Sequence, residues 1–146
     1  MMGKVLITLQ TVFCILLIYL GWSHLLDRPI FWPLTILGIA ISASGVWAMK
    51  KVTRRIKTTP EPFEGTPLCK IGIYRLIRHP MYSGLLLSFA MFASACENTF
   101  TGWGIWIGLV VVLIGKIRIE EKMLGEAIPA YQEYRQTTKR LIPFIF

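Results

Sequence analysis

Charge is scarce in this sequence. Asp, Glu, Lys and Arg together make up 16% of 146 residues, and only eight residues are acidic. A soluble domain of this length carries about 25% charged residues, so a water-facing globular surface is excluded and a bilayer is implied. Ligand-type side chains are few as well: two histidines, His24 and His79, and three scattered cysteines, Cys14, Cys69 and Cys96. His24 falls at the far end of the first apolar run from His79, so no metal spacing emerges, and three distant cysteines give no disulfide framework. The chain also lacks internal repeats, low-complexity tracts and a glycine-rich phosphate loop. No small-x-small cleavage pattern follows the apolar N-terminus, which predicts an uncleaved first span rather than a signal peptide.

Hydrocarbon is what the chain has in abundance, with 54% hydrophobic residues. A spanning helix needs roughly 20 apolar residues, fewer with interfacial aromatics at its ends. Four segments approach that length: Val5 to Leu26, Phe31 to Met49, Met81 to Ala95 and Thr101 to Ile117. The expected fold is therefore all-α, a single polytopic membrane domain over 1–146 with four transmembrane helices. Cys96 to Phe100 would join the last two in a tight antiparallel hairpin. Gly102, Gly104, Gly108 and Gly115, facing Ser83, Gly84 and Ser88, are predicted to let those two backbones approach closely.

The net charge of +8 is distributed unevenly. With the N-terminus inside, fifteen of the sixteen Lys and Arg residues fall on the cytoplasmic side and only Arg28 falls outside. Basic residues collect on that side of membrane proteins, so the asymmetry predicts a multi-pass topology with both termini cytoplasmic, which in a bacterial cell would place the chain in the inner or plasma membrane. It also accounts for the charge without a nucleic-acid partner, leaving membrane lipids as the natural anionic neighbours.

Between the second and third spans a cytoplasmic loop, Lys50 to Pro80, contains Pro60, Pro62, Gly65 and Pro67. The pattern predicts a basic helical extension to about Lys57, then an irregular cap anchored by Phe63, Leu68, Ile71 and Ile73. Pro80 suits the first turn of the third span, where its missing N–H costs nothing, and the helix N-terminus there offers free N–H groups to an anion. Beyond the fourth span, Lys116 to Glu126 keeps helical spacing and predicts a cytoplasmic amphipathic extension that Pro129 interrupts. A short helix from Ala130 to Thr137 follows, with Tyr131 and Tyr134 on one side.

Two polar clusters should meet at one membrane surface: a collar of Tyr74, Arg75, Arg78, His79 and Tyr82, and Arg118, Glu120 and Glu121 at the end of the fourth span. Adjacent carboxylates repel unless cations or a ligand compensate them, so this end of the hairpin reads as a binding pocket, wet on one side and apolar on the other.

The ordered pattern of Gly72, Tyr74, Arg78, His79, Pro80 and Tyr82, then Glu120, Glu121 and Leu124, then Tyr131 and Tyr134, then Arg140, Ile142 and Pro143 resembles the isoprenylcysteine carboxyl methyltransferase and phospholipid methyltransferase superfamily of integral membrane enzymes. The likeness covers roughly Gly72 to Pro143, and the first two spans carry no readable signature. Ile128, Pro129 and Ala130 depart from the Phe-Gly usual before the first C-terminal tyrosine. The resemblance implies S-adenosylmethionine as methyl donor, S-adenosylhomocysteine as product, and a lipophilic or lipid acceptor entering from the membrane. It implies cofactor binding by Gly72, Tyr74, Arg78, His79, Pro80, Tyr82, Glu120 and Glu121, with Arg118 and Glu121 as catalytic residues and no metal. Arg118 would orient a carboxylate acceptor; Glu121 or His79 would take the proton of an amine. Two other readings stand beside it: a nicotinamide-dependent membrane reductase and a non-enzymatic membrane scaffold.

Overall fold

The computed structural model describes residues 2–53 and 67–143. Arg54, Arg55, Lys57, Pro60, Pro62, Phe63 and Gly65 lie outside them, and with them the far part of the expected basic extension and cap. Among the described residues five α-helices follow in order: α1 Met2–Leu26, α2 Trp32–Thr53, α3 Pro80–Ala95, α4 Thr99–Ala127 and α5 Tyr131–Thr137. Single 3-10 turns at Pro29–Phe31 and Gly72–Arg75 precede α2 and α3. Among the described residues there is no strand, only an isolated parallel bridge between Ile77 and Lys139.

Local chemistry sets the helix ends. Pro80 occupies the first turn of α3 behind His79. The Asn98 side chain caps α4 by accepting from the Thr101 amide at 3.1 Å, satisfying one of the orphan donors of the first turn. At the other end Ile128 is extended, with φ −129° and ψ 103°, because the residue before a proline is disfavoured in the α region. The expected extension of the fourth apolar run is thus one continuous helix of 29 residues.

Helix length separates the spans. At 1.5 Å per residue, α1, α2 and α4 measure about 37, 33 and 43 Å against a hydrocarbon core of about 30 Å, whereas α3 measures about 24 Å. Among the described residues three helices are long and apolar enough to cross a membrane, and α3, with 16 residues, is a shorter apolar helix. The all-helical membrane fold is present, with three helices of spanning length where four spans are expected. Its position explains how α3 is accommodated: it touches α1, α2 and α4, so protein surrounds it on several sides. α1 packs on α4 and α3, α2 packs mainly on α3, and α1 and α2 make little contact beyond their connecting turn.

The glycines behave differently from expectation. Gly84 and Ser88 of α3 face α2, not α4. A Cβ built on Gly38 would lie 2.6 Å from the Gly84 carbonyl oxygen, and Ser88 Oγ donates to Thr35 O at 3.2 Å. In α4 only Gly102 meets α3, against the Ala93 backbone, while Gly108 accommodates Phe13 and Gly115 faces Leu6, both of α1. Small residues do permit close approach in lipid, but the seam they build most tightly is α2 on α3. Leu17, Phe92, Ala93, Leu109 and Leu113 form the apolar core where α1, α3 and α4 meet.

Candidate active site

The collar and the C-terminal tail are stitched together by the backbone. The Arg78 amide donates to Lys139 O at 2.7 Å, the His79 amide to Arg140 O at 3.0 Å, and the Lys139 amide to Leu76 O at 3.1 Å. Ser83 Oγ adds a bond to Leu141 O at 2.6 Å. In the first turn of α3 the Tyr82 and Ser83 amides both donate to His79 O. Much of the N–H array that looked open to an anion is therefore used inside the fold.

Arg78 is the keystone of this junction. It is buried, and its Nε donates to Glu121 Oε1 at 2.9 Å. Its Nη1 donates to Arg135 O at 3.1 Å and also reaches the Thr138 carbonyl. Glu121 receives a second guanidinium from the tail, with Arg140 Nε 3.0 Å from Oε2. A carboxylate that is 5% exposed and held by two arginines has its charge compensated, and removing either side would leave the other buried and alone.

His79 lies between the two glutamates. Its Nδ1 is 3.6 Å from Glu120 Oε2 and its Nε2 is 3.6 Å from Glu121 Oε1, both beyond a good hydrogen bond. Its ring stacks on Tyr82 with centroids 5.6 Å apart. Tyr82 donates its hydroxyl to Glu120 Oε1 at 2.5 Å. Lys116, buried one turn toward the hydrocarbon, holds Gln10 of α1 at 3.2 Å and sits 5.0 Å from the Tyr82 ring centre. Two buried polar atoms beside this cluster have no hydrogen-bond partner among the described residues, His79 Nε2 and Tyr131 Oη. Native interiors rarely leave such atoms unsatisfied, so they mark where a polar ligand would be received. Burial pushes the Tyr131 phenol up to about 12, which keeps it a neutral hydroxyl able to donate.

The expected site residues separate into groups. Arg78, His79, Tyr82, Glu120 and Glu121 converge. Pro80 starts α3 beneath them, packed near Gly45 of α2. Gly72 is exposed at the preceding turn with φ +57°, a left-handed conformation that costs a side chain energy. Tyr74 is buried with Ala48 and Cys69, its carbonyl accepts from Tyr134 Oη at 2.6 Å, and burial raises its own phenol. Among the described residues Arg118 makes no hydrogen bond or ion pair with that cluster. At 100° per residue it lies about 160° around α4 from Glu120 and about 60° from Glu121, and it is exposed and lines an outer cleft together with Glu121 and Arg140.

Sequence reasoning did not place Thr138 or Lys116 in this junction, and Tyr131 and Arg140 entered only as elements of the ordered motif. Lys116 was visible only within the helical extension of the fourth span. Its spacing of four from Glu120 was the available signal.

The residues present suit a small zwitterionic nucleoside: a buried carboxylate for a cation, arginines for an anion, and two unpartnered polar atoms for hydroxyls or ring nitrogens. The family model described as phospholipid methyltransferase matches residues 32–130. That match begins at the first residue of α2, so the second helix belongs to the family unit although no signature was readable there; α1, α5 and the tail lie outside the match. An uncharacterized protein of Schizosaccharomyces pombe is 33% identical over 98 residues, which are 60% of this chain and 28% of that protein. The chain thus spans well under half the length of that relative. No solved structure matches. With two thirds of its length matched, including the whole collar and the helix that carries the paired glutamates, the chain belongs to the phospholipid methyltransferase family of integral membrane methyltransferases.

Proposed function

We propose that the protein transfers a methyl group from S-adenosylmethionine to a lipophilic acceptor that arrives from the bilayer. The observation that carries this reading is the buried Glu121 carboxylate, held by Arg78 and Arg140 beside the unpartnered His79 Nε2 and Tyr131 Oη. S-adenosylmethionine supplies a methyl group activated on a sulfonium centre. Glu121 suits its α-amino group, the arginine edge suits its carboxylate, and His79 and Tyr131 suit the polar atoms of its nucleoside. Tyr74 and Tyr82 form a phenolic wall, while Gly72 and Pro80 fix the turn and the helix start that present the collar.

Glu120 is the better proton acceptor of the two glutamates. Glu121 is charge-compensated by two guanidinium groups, one on each oxygen, which makes it a weaker base while leaving lone pairs for a donor ammonium, whereas Glu120 has a side chain 16% exposed and borders Tyr82 and His79. For an amine acceptor Glu120 takes the departing proton, as general bases do within hydrogen-bond reach. For a carboxylate acceptor no proton need leave, and Lys116 at the hydrocarbon side orients the anion. Positioning and water exclusion supply most of the acceleration of such a displacement, and α5 with the tail roofs the site. Arg118, on the neighbouring face, takes no direct part in this scheme.

The same reading puts the site and both termini at the cytoplasmic face, with α3 completing a fourth crossing inside a shell of longer helices. Its support is the one-sided distribution of Lys and Arg. The acceptor would enter where α1 and α2 diverge.

Calorimetric titration of the detergent-purified full-length protein tests the donor site. S-adenosylmethionine and S-adenosylhomocysteine should compete, and Glu121→Gln should weaken both by about tenfold or more, the loss of one charge-assisted hydrogen bond. Unchanged affinity in that variant would remove Glu121 from the site. Binding of a reduced nicotinamide nucleotide in place of the donor would replace this reading with the reductase.

A further inference from the structure

A cleft of 440 Å³ opens between the last third of α4 and α5, on the outer side of the junction just described, with Glu121 and Arg140 common to both. Its cations come from three elements: Arg118 and Lys122 on α4, Arg135 on α5 and Arg140 in the tail. Two carboxylates share it. Glu121 is already held by Arg78 and Arg140, and Glu126 lies 4.0 Å from Lys122 in an exposed pair, the kind worth little in water. Arg118 and Arg135 form no ion pair among the described residues. Among the described residues, three separate segments thus direct four cations into one concavity that holds two acids.

Depth along the membrane normal gives the cleft a partner. Arg118 comes nineteen residues after Thr99, about 29 Å along the helix at 1.5 Å per residue, which is the thickness of the hydrocarbon core. The cleft therefore opens at headgroup level. Guanidinium forks match phosphate oxygens in pairs, and basic clusters at this depth attract anionic lipids. We propose that the cleft seats the phosphate headgroup of an anionic phospholipid from the adjoining leaflet, at a site that adjoins the donor site. Arg140 belongs to both sites, since it lines the cleft and holds Glu121, so an occupied cleft stabilises the same arrangement that the donor site requires.

The test uses the detergent-purified full-length protein, with dioctanoyl phosphatidic acid, dioctanoyl phosphatidylcholine and inorganic phosphate as probes and the thermal unfolding midpoint as readout. The phosphatidic acid should raise the midpoint saturably and phosphatidylcholine should not. The double variant R118Q/R135Q should weaken the apparent affinity for phosphatidic acid by about tenfold or more. K50Q/K51Q, which removes equal charge at the end of α2, should leave it unchanged. Both arginines are exposed, so R118Q/R135Q should unfold at the wild-type midpoint without lipid; R118K/R135K, which keeps the charge, should recover part of the affinity. Equal weakening by the two glutamine pairs would overturn the site in favour of diffuse surface charge. Stabilisation by phosphatidylcholine as strong as by phosphatidic acid, or by inorganic phosphate at lower concentration than the lipid, would overturn the anionic lipid as its occupant.

Discussion

α1 and α2 bury only 11% and 17% of their most apolar stretches inside the protein, and side chains such as Tyr19, Ile36 and Trp47 stand outward. The junction around Glu121 is arranged in the opposite way: Arg78, His79, Glu121 and Thr138 are polar and yet nearly inaccessible. In the first region lipid replaces protein as the partner for apolar surface, so the identity of each side chain matters little beyond its hydrophobicity. In the second, each charge is held by a specific counter-charge, and the cost of desolvating one is offset only if its partners stay in place. The two regions also differ in sequence range. α1 and α2 are local elements, whereas the junction joins the collar, α4 and the tail across separations of up to 60 residues.

The contrast can be broken most severely at its polar centre. Glu121→Ala leaves Arg78 buried without its carboxylate, and the expected loss is about 3–5 kcal/mol of stability, measured as a fall in the detergent unfolding midpoint. If the midpoint held, Glu121 would not be the keystone's counter-charge. A smaller effect is expected at the α2–α3 seam. Gly84→Val would drive a side chain into the Gly38 and Ser42 backbone, at a cost of about 1–3 kcal/mol, while the same change at Gly104, which faces open space, should cost far less. Unfolding both variants side by side distinguishes a packing role for Gly84 from mere helix composition. Smallest is Tyr134→Phe, which removes the bond to Tyr74 O and should cost about 1 kcal/mol. Ile36→Ala on the lipid-facing surface supplies the baseline in the same assay, expected within about 0.5 kcal/mol of wild type. A larger loss there would mean that α2 has a protein partner.

Much of the helical framework was legible because apolar run length and proline placement are local signals. Pro80 and Pro129 marked the start of α3 and the end of α4, and the continuation of α4 beyond the apolar run followed from spacing alone. The hairpin between α3 and α4 was visible in its short connection, but the partner of Gly84 and Ser88 was not. Both α2 and α4 lie beside α3, and nothing in a linear pattern says which neighbour receives a small residue.

Within the candidate site the paired glutamates and the histidine stood out by composition, since acids are rare in this chain. Their separate environments did not. Glu120 and Glu121 are adjacent in sequence, yet the 100° turn between them directs one toward Tyr82 and Lys116 and the other toward Arg78 and Arg140.

The sequence by itself determined that this chain is helical, belongs in a bilayer and gathers its charge at one end, because hydropathy and charge act on each segment independently of the others. Only the tertiary structure decided that the tail seals the collar, that Arg78 and Arg140 share Glu121, and that Arg118 lines the outer cleft beside them. Those outcomes depend on which helix faces meet across long loops, and that is settled by packing and by the requirement that every buried charge find a partner.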